Sequence, residues 1–291
     1  MWRLVLTRAD SIERDAIAAG EKWIRDQGFE AAPYRRLAPS AVMIPFSGGS
    51  ALPARDGVVS SVHGMDANIV SDAAPGRLLI ADMDSTMISV ECIDELADFV
   101  GKKDEVSAIT EQAMRGELDF EGALIARVAL LRGLPEEDLA ACYAQRVTLN
   151  PGARVLVQTM RAQGAVTALV SGGFTYFSAR VAEAAGFDSH QANTLLFADG
   201  RLTGEVGLPI LGRAAKLSQL ELLCTQHEIA VSDVIAVGDG ANDLAMIEAA
   251  GLGVAYHAKP ALKAEAQAVL DRSDLTAILA FQGIGAEDWR H

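Results

Sequence analysis

The stretch Leu78-Leu79-Ile80-Ala81-Asp82-Met83-Asp84-Ser85-Thr86 limits the fold more than any other, because an unbroken apolar run stops abruptly at two carboxylates two positions apart. A half-exposed strand would alternate apolar and polar residues. The run after Pro75-Gly76 instead predicts a short strand buried on both faces of a parallel sheet. In open α/β sheets ligands bind beyond the carboxyl ends of the strands, so the two aspartates fall where chemistry would sit. Both stay ionised at neutral pH only with a cation or hydrogen-bond donors between them. Mg2+ is the natural partner, since it takes one or two carboxylates and keeps positions for water and phosphate oxygens. Taken alone, Asp-x-Asp serves equally well as a turn that ends a strand.

The pattern repeats downstream. Asn150-Pro151-Gly152 leads into a helix over about 153–163 and a strand over 165–170 that ends at Ser171-Gly172-Gly173. A helix to Ala185 follows, then a hairpin over 195–204 around Asp199-Gly200 and a helix over 213–228. A strand over 234–237 ends in Gly238-Asp239-Gly240-Ala241-Asn242-Asp243, followed by a helix over 242–250 and a strand over 252–255. Strands alternating with helices imply a parallel sheet with right-handed crossovers.

Residues 89–147 break this alternation. They carry helical periodicity alone, in Ile93, Leu96, Ala97 and Val100 and again in Phe120, Leu124, Val128 and Leu131. An all-helical, acidic insert directly after the first strand would lie over its carboxyl end as a cap. Upstream, residues 2–8 predict a strand, Ser11 an N-cap, 14–26 a helix and 41–46 a strand. Ser47-Gly48-Gly49-Ser50 interrupts this unit, a helical or irregular piece covers 52–70, and Asp72-Ala73-Ala74-Pro75-Gly76 reads as a linker. The expected architecture is an α/β protein. A Rossmann-like parallel sheet over 76–291 has a helical cap inserted at about 89–150, and a small N-terminal α+β domain of unassigned role spans 1–75.

Composition narrows the function. The 291 residues include 25 Lys and Arg against 39 Asp and Glu, a formal charge of −14, which argues against a nucleic-acid or anionic-membrane surface. A small anionic substrate is still allowed, because local donors and a metal override the global field. No apolar run approaches the ~20 residues of a membrane span, and the first residues lack a secretory cleavage pattern, so a cytoplasmic protein is expected. Cys92, Cys142 and Cys224 are odd in number and widely spaced, which predicts reduced, buried thiols rather than disulfides or zinc ligands. A homodimer formed through the N-terminal unit is the macromolecular partnership left open.

Three further segments bring phosphate-binding groups to the same sheet edge. Ser171-Gly172-Gly173 joins a strand to a helix, where a hydroxyl, backbone N–H groups and the helix dipole suit an anion. Lys216 lies early in a helix, where a cation opposes the dipole. Gly238-Asp239-Gly240-x-Asn242-Asp243 opens another helix, with Asn242 or Asp243 as a candidate N-cap.

In order and spacing, Asp82-x-Asp84-x-Thr86, Ser171, Lys216 and Gly238-Asp239-Gly240-x-Asn242-Asp243 resemble the four motifs of the haloacid dehalogenase superfamily. The resemblance covers about residues 76–282. Residues 1–72 carry no chemical motif and no convincing match to amino-acid-binding regulatory domains. The resemblance implies that Asp82 is a nucleophile forming an aspartyl phosphate and that Asp84 is the general acid and base. It places Mg2+ on Asp82, Asp239 and the backbone carbonyl of Asp84, with Asp243 close by. Ser171, the Gly172 amide and Lys216 would then bind phosphate oxygens while Asn242 orients the site.

Glu91, nine positions after Asp82, and Arg127, inside the cap, resemble the substrate-recognition pair of the phosphoserine phosphatases within that superfamily. This implies O-phospho-L-serine as substrate and a place at the last step of serine biosynthesis. Arg127 falls one position before Val128 of the apolar stripe, so it can emerge at the stripe's edge. Two rivals share these features: another capped phosphomonoesterase or phosphotransferase, in which Glu91 and Arg127 are ordinary cap charges, and a signalling receiver domain. Asp84 and the helical insert argue against the receiver, which needs neither.

Overall fold

The computed structural model describes residues 1–48, 55–72, 76–114 and 117–291. Its first unit is an antiparallel sheet. Strand β1 (Trp2–Thr7) is followed by helix α1 (Arg14–Asp26), β2 (Glu30–Ala31), β3 (Arg35–Ala38), β4 (Ala41–Ser47), helix α2 (Arg55–Val59) and β5 (Asp66–Ser71). The sheet order is β2-β4-β1-β5, with β3 also on β4. Period-two alternation divides its side chains between two cores. Leu4, Leu6, Val42, Ile44 and Phe46 pack with Trp23 and Ile24 of α1, while Val5 and Met43 face the main body.

The main body is built on β6 (Leu78–Ala81). The cap helices α3 (Cys92–Phe99), α4 (Lys103–Met114), α5 (Phe120–Leu130) and α6 (Glu136–Arg146) come next, then α7 (Ala153–Ala162), β7 (Val166–Phe174), α8 (Thr175–Ala185) and β8 (Ser189–Asn193). A hairpin of β9 (Leu195–Ala198) and β10 (Arg201–Val206) leads to α9 (Arg213–His227), β11 (Val234–Gly238), α10 (Leu244–Ala249) and β12 (Leu252–Tyr256). The chain closes with α11 (Pro260–Glu265), β13 (Ala268–Leu270) and α12 (Ala277–Phe281). The six-stranded sheet runs β13-β12-β11-β6-β7-β8 with every neighbouring pair parallel. All four residues of β6 are 0% exposed: Leu79 and Ala81 enter one core, Leu78 and Ile80 the other. That is the two-faced burial the apolar run predicts, and it leaves the next residue, Asp82, at the strand's carboxyl end.

The structure corrects several sequence expectations. The piece expected to be helical or irregular up to residue 70 ends in β5, whose polar Asp66 and Asn68 are buried against the main body rather than exposed. Helix α1 starts after Glu13, so Ser11 is not its cap and its hydroxyl instead contacts Glu13 at 3.4 Å. Strand β7 runs on through Ser171-Gly172-Gly173 to Phe174, with a register shift against β8 in place of the expected strand end. Helix α10 begins only at Leu244. Strands β2, β3, β8 and β13 and the short α11 and α12 carry no pattern long enough to read from sequence. Gly49, Ser50 and residues 73–75 of the expected linker lie outside the described residues.

The cap does not stand alone. The hairpin is laced to it by Gly133 N–H to Leu202 O at 2.8 Å, Leu202 N–H to Leu134 O at 2.8 Å and Glu136 N–H to Gly200 O at 3.0 Å. The two chain legs entering and leaving the cap pair through Ile88 and Leu149. All three cysteines are free and buried. Among the described residues no helix is long and apolar enough to cross a membrane.

The N-terminal sheet joins the main body partly through one side chain. Asn68, fully buried, donates to Val269 O at 2.9 Å and accepts from Val269 N–H at 2.8 Å, standing in for a neighbouring strand beside β13. Asn68→Ala strands both backbone groups of Val269 without partners, so it is expected to lower unfolding free energy by about 1 to 3 kcal/mol. Denaturant midpoints measure this, and an unchanged midpoint would contradict the bridging role.

Candidate active site

Asp82 is set by the sheet before it does any chemistry. Its N–H donates to Val237 O at 3.0 Å, and its Oδ1 accepts from Met83 N–H at 2.8 Å. Lys216, from the first turns of α9, reaches the same Oδ1 at 2.7 Å and Asp243 Oδ1 at 2.5 Å. All three side chains are buried, at 4%, 3% and 0% exposure for Asp82, Lys216 and Asp243. Burial alone would lower the Lys216 pKa, but the two carboxylates carry it above its ordinary value, so it is a fixed cation.

Asp243 sits where an N-cap would, yet its side chain does not cap α10. Its Oδ2 accepts from the N–H groups of Asp239 (3.2 Å) and Gly240 (3.0 Å), which shapes the Gly238-Asp239-Gly240 turn. Carboxylate oxygens of Asp82, Asp239 and Asp243 come within 4.8 Å of one another. Desolvation, then the Asp243 charge, raises the Asp82 carboxyl well above 3.8 despite Lys216. The same two causes raise Asp239 to about 6. One buried ammonium does not balance three carboxylates this close. The cluster fits a divalent cation on oxygen ligands.

Asp84 points elsewhere. Its Oδ1 accepts from Cys92 N–H at 3.0 Å, and its Oδ2 lies 3.4 Å from Ser171 Oγ. Desolvation, then Glu91, raises its carboxyl to about 7, the range in which a carboxylic acid both gives and takes protons near neutral pH. Its carboxylate is outside the cluster of Asp82, Asp239 and Asp243.

The remaining expected residues line one cleft of about 370 Å3 that opens between sheet edge and cap: Glu91 and Arg127 on the cap side, Ser171, Gly172 and Asn242 on the sheet side. Ser171 Oγ accepts from Gly173 N–H at 2.8 Å. Arg127 anchors its Nε on Ala123 O at 3.2 Å, in its own helix. Burial lowers its pKa while Asp94 and Glu91 oppose the shift. Lys216 and Asp243 do not reach the cleft surface; Lys216 contacts Asp82 from beneath.

Sequence reading missed four contributors. Ser85 holds a left-handed φ of 56°, rare for a residue with a side chain, and its hydroxyl donates to Glu91 Oε1 at 2.7 Å. Asn193, 1% exposed, donates to Gly172 O at 2.9 Å and accepts from Leu211 N–H at 2.7 Å, joining the Ser171 loop to the segment before α9. Phe120 of the cap packs over Gly172, where a β-carbon would come within 3.3 Å of the ring. Lys259 joins the cleft rim, its N–H donating to Asp239 O at 3.0 Å. The roles of Asn193, Phe120 and Lys259 exist only through contacts distant in sequence, whereas Ser85 acts on a residue six positions away.

The chain matches the haloacid dehalogenase-like hydrolase family over residues 79–248. It is 48% identical over 202 residues to a phosphoserine phosphatase of Idiomarina loihiensis, covering 69% of this chain and 91% of that one. A phosphoserine phosphatase of Streptomyces coelicolor is 39% identical over 293 residues, covering 98% of this chain and 71% of the relative. The unliganded crystal structure of a probable phosphoserine phosphatase from Vibrio cholerae superposes with a TM-score of 0.83 at 32% identity, over 99% of this chain and 88% of that one. The last two reach into the N-terminal unit, beyond the stretch that the motifs cover.

The buried carboxyl groups of the site set a pH dependence of stability. Asp84 and Asp239, at about 7 and about 6, hold protons more tightly when folded than at their ordinary value of 3.8. The folded state therefore binds more protons than the unfolded chain between these values. Their stabilising contribution is full below about pH 4 and is lost as pH rises through about 6 to 7. A divalent cation held by the cluster would take the place of the proton on Asp239. Added Mg2+ should raise the melting temperature of EDTA-treated protein more at about pH 7.5 than at about pH 5. A metal increment independent of pH would contradict this.

Proposed function

Because the chain belongs to the haloacid dehalogenase-like hydrolase family, we propose that it hydrolyses O-phospho-L-serine to L-serine and phosphate through an aspartyl phosphate on Asp82. Asp82 Oδ1 is occupied by Lys216 and Met83 N–H, which leaves Oδ2 to attack phosphorus in line with the leaving serine oxygen. As the P–O bond to serine breaks, Asp84, holding its proton near neutral pH, delivers it to that oxygen. Asp84, now a carboxylate, takes a proton from water as the water attacks phosphorus, and Asp82 is released with inorganic phosphate.

Phosphoryl transfer asks a protein chiefly for positioning and charge neutralisation. In this reading Ser171 Oγ and the Gly172 amide bind phosphate oxygens, Asn242 orients them, and Lys216 keeps Asp82 oriented and offsets its charge. Asp82, Asp239 and the Asp84 backbone carbonyl would hold the cation, with Asp243 next to it. When bound, Mg2+ supplies neutralisation of the phosphate and of the crowded carboxylates.

One observation carries the substrate assignment: Glu91 and Arg127, opposite in charge, face the same cleft that has Asp82 and Asp239 at its floor. The planar guanidinium suits a two-pronged grip on the substrate carboxylate and Glu91 accepts from its ammonium. Arg127→Ala is expected to lose about 2 to 4 kcal/mol in kcat/KM for phosphoserine, the scale for removing one partner of a desolvated charge pair. With p-nitrophenyl phosphate, which has neither amine nor carboxylate, the loss should be far smaller. Equal losses on both substrates would return the assignment to a capped phosphatase of other specificity.

A further inference from the structure

The N-terminal unit and the base of the cap meet on one short loop, residues 271–276. Asp66, at the start of β5 and 7% exposed, accepts from Asp271 N–H through Oδ1 and from Arg272 N–H through Oδ2, each at 3.0 Å. The Ser273 hydroxyl donates to the same Oδ2 at 2.8 Å. It also lies 2.7 Å from Thr7 Oγ1, and Thr7 is the direct cross-strand partner of Asp66. A single buried carboxylate thus takes three hydrogen bonds from one turn, and bonds to a charged acceptor are the strong ones.

The next residues of the loop face the cap. Leu275 N–H donates to Pro151 O at 3.1 Å, and Asp274 Oδ1 accepts from the N–H of Thr276 at 2.9 Å and from its hydroxyl. Gly152, at φ 80°, lies so close to Thr276 that a β-carbon would come within 2.7 Å of its amide nitrogen. Pro151 and Gly152 are the last residues before α7, where the chain leaves the cap. Asn150 beside them ties to the other leg, its N–H donating to Met87 O at 2.9 Å and its Nδ2 to Thr86 O at 2.8 Å. Hydrogen bonds joined by short backbone steps therefore lead from Asp66 through the loop and Pro151 to Thr86, whose hydroxyl touches Asp239 at 3.3 Å.

We propose that Asp66 is a positioning residue for the cap: by fixing the 271–276 loop it seats the Pro151–Gly152 hinge, so the N-terminal unit sets how the cap closes over the active site. The proposal rests on reading the helical insert as a cap that moves during turnover. Adhesion alone needs no such carboxylate, because Val5, Met43 and Val70 already join the apolar cluster that contains Leu279 and Phe281. A buried charge is costly unless fully bonded, and what its bonds specify here is the shape of the loop.

The test uses full-length protein carrying Asp66→Asn or, as a milder change, Ser273→Ala. Hydrogen exchange at amides of residues 149–156 is followed with and without beryllium trifluoride plus Mg2+, alongside steady-state kinetics on phosphoserine. In the unsubstituted protein the ligand should slow exchange at the hinge. Both substitutions should raise hinge exchange in the free protein and lower kcat/KM, each by about three- to tenfold, within the range of coupling seen for residues that touch neither ligand, while exchange in α1 and β4 stays unchanged. Unaltered hinge exchange and kinetics, or an equal rise throughout residues 1–48, would overturn the proposal. Hinge amides indifferent to the ligand in the unsubstituted protein would instead remove the moving cap itself, and the proposal with it.

Discussion

The structure depends on confining like charges at the end of a dry strand. Asp82, Asp239 and Asp243 converge beyond the carboxyl ends of β6 and β11 with the buried Lys216 ammonium between two of them. In a low-dielectric interior such an arrangement is unfavourable by itself, and the raised pKa values of Asp82 and Asp239 are the measure of that frustration. The same frustration makes the site receptive to a divalent cation, and through it to a phosphate dianion that a chain of charge −14 would otherwise repel.

The fold is arranged to hold that arrangement still. Strand β6 sits between β11 and β7, so Asp82, the Gly238-Asp239-Gly240 turn and Ser171 arrive side by side. Asp243 gives up helix capping to bind two turn amides and Lys216, and Asn193 fixes the Ser171 loop relative to the segment that leads to Lys216. Opposite them, the cap brings Glu91, Phe120 and Arg127, and backbone hydrogen bonds tie it to the β9–β10 hairpin.

Much of this was legible because its signals are local and strong. The apolar run before Asp82 suits a doubly buried strand and the stripe through Leu124 and Val128 a helix, so the sheet edge and the helical insert follow from periodicity, while the roles of the residues there came from the resemblance of the four motifs. What escaped depends on tertiary partners. Asp66 and Asn68 make β5 look like a helical or irregular segment, yet both are buried because the loop after β13 and Val269 supply their partners. Ser85, Asn193 and Lys259 are ordinary polar residues until the fold sets them beside Glu91, Gly172 and Asp239. Strands of two to four residues, such as β2 and β13, are too short for any period to register.

The central claim is that Asp82 carries the phosphoryl group. Rapid acid quench of the enzyme turning over labelled phosphoserine with Mg2+, followed by peptide mapping, tests it directly. The label should reside on the peptide containing Asp82, be labile to hydroxylamine as an acyl phosphate is, and vanish in Asp82→Asn protein that still folds. A labelled phosphoryl group on any other residue, or unchanged turnover by Asp82→Asn, would contradict the account.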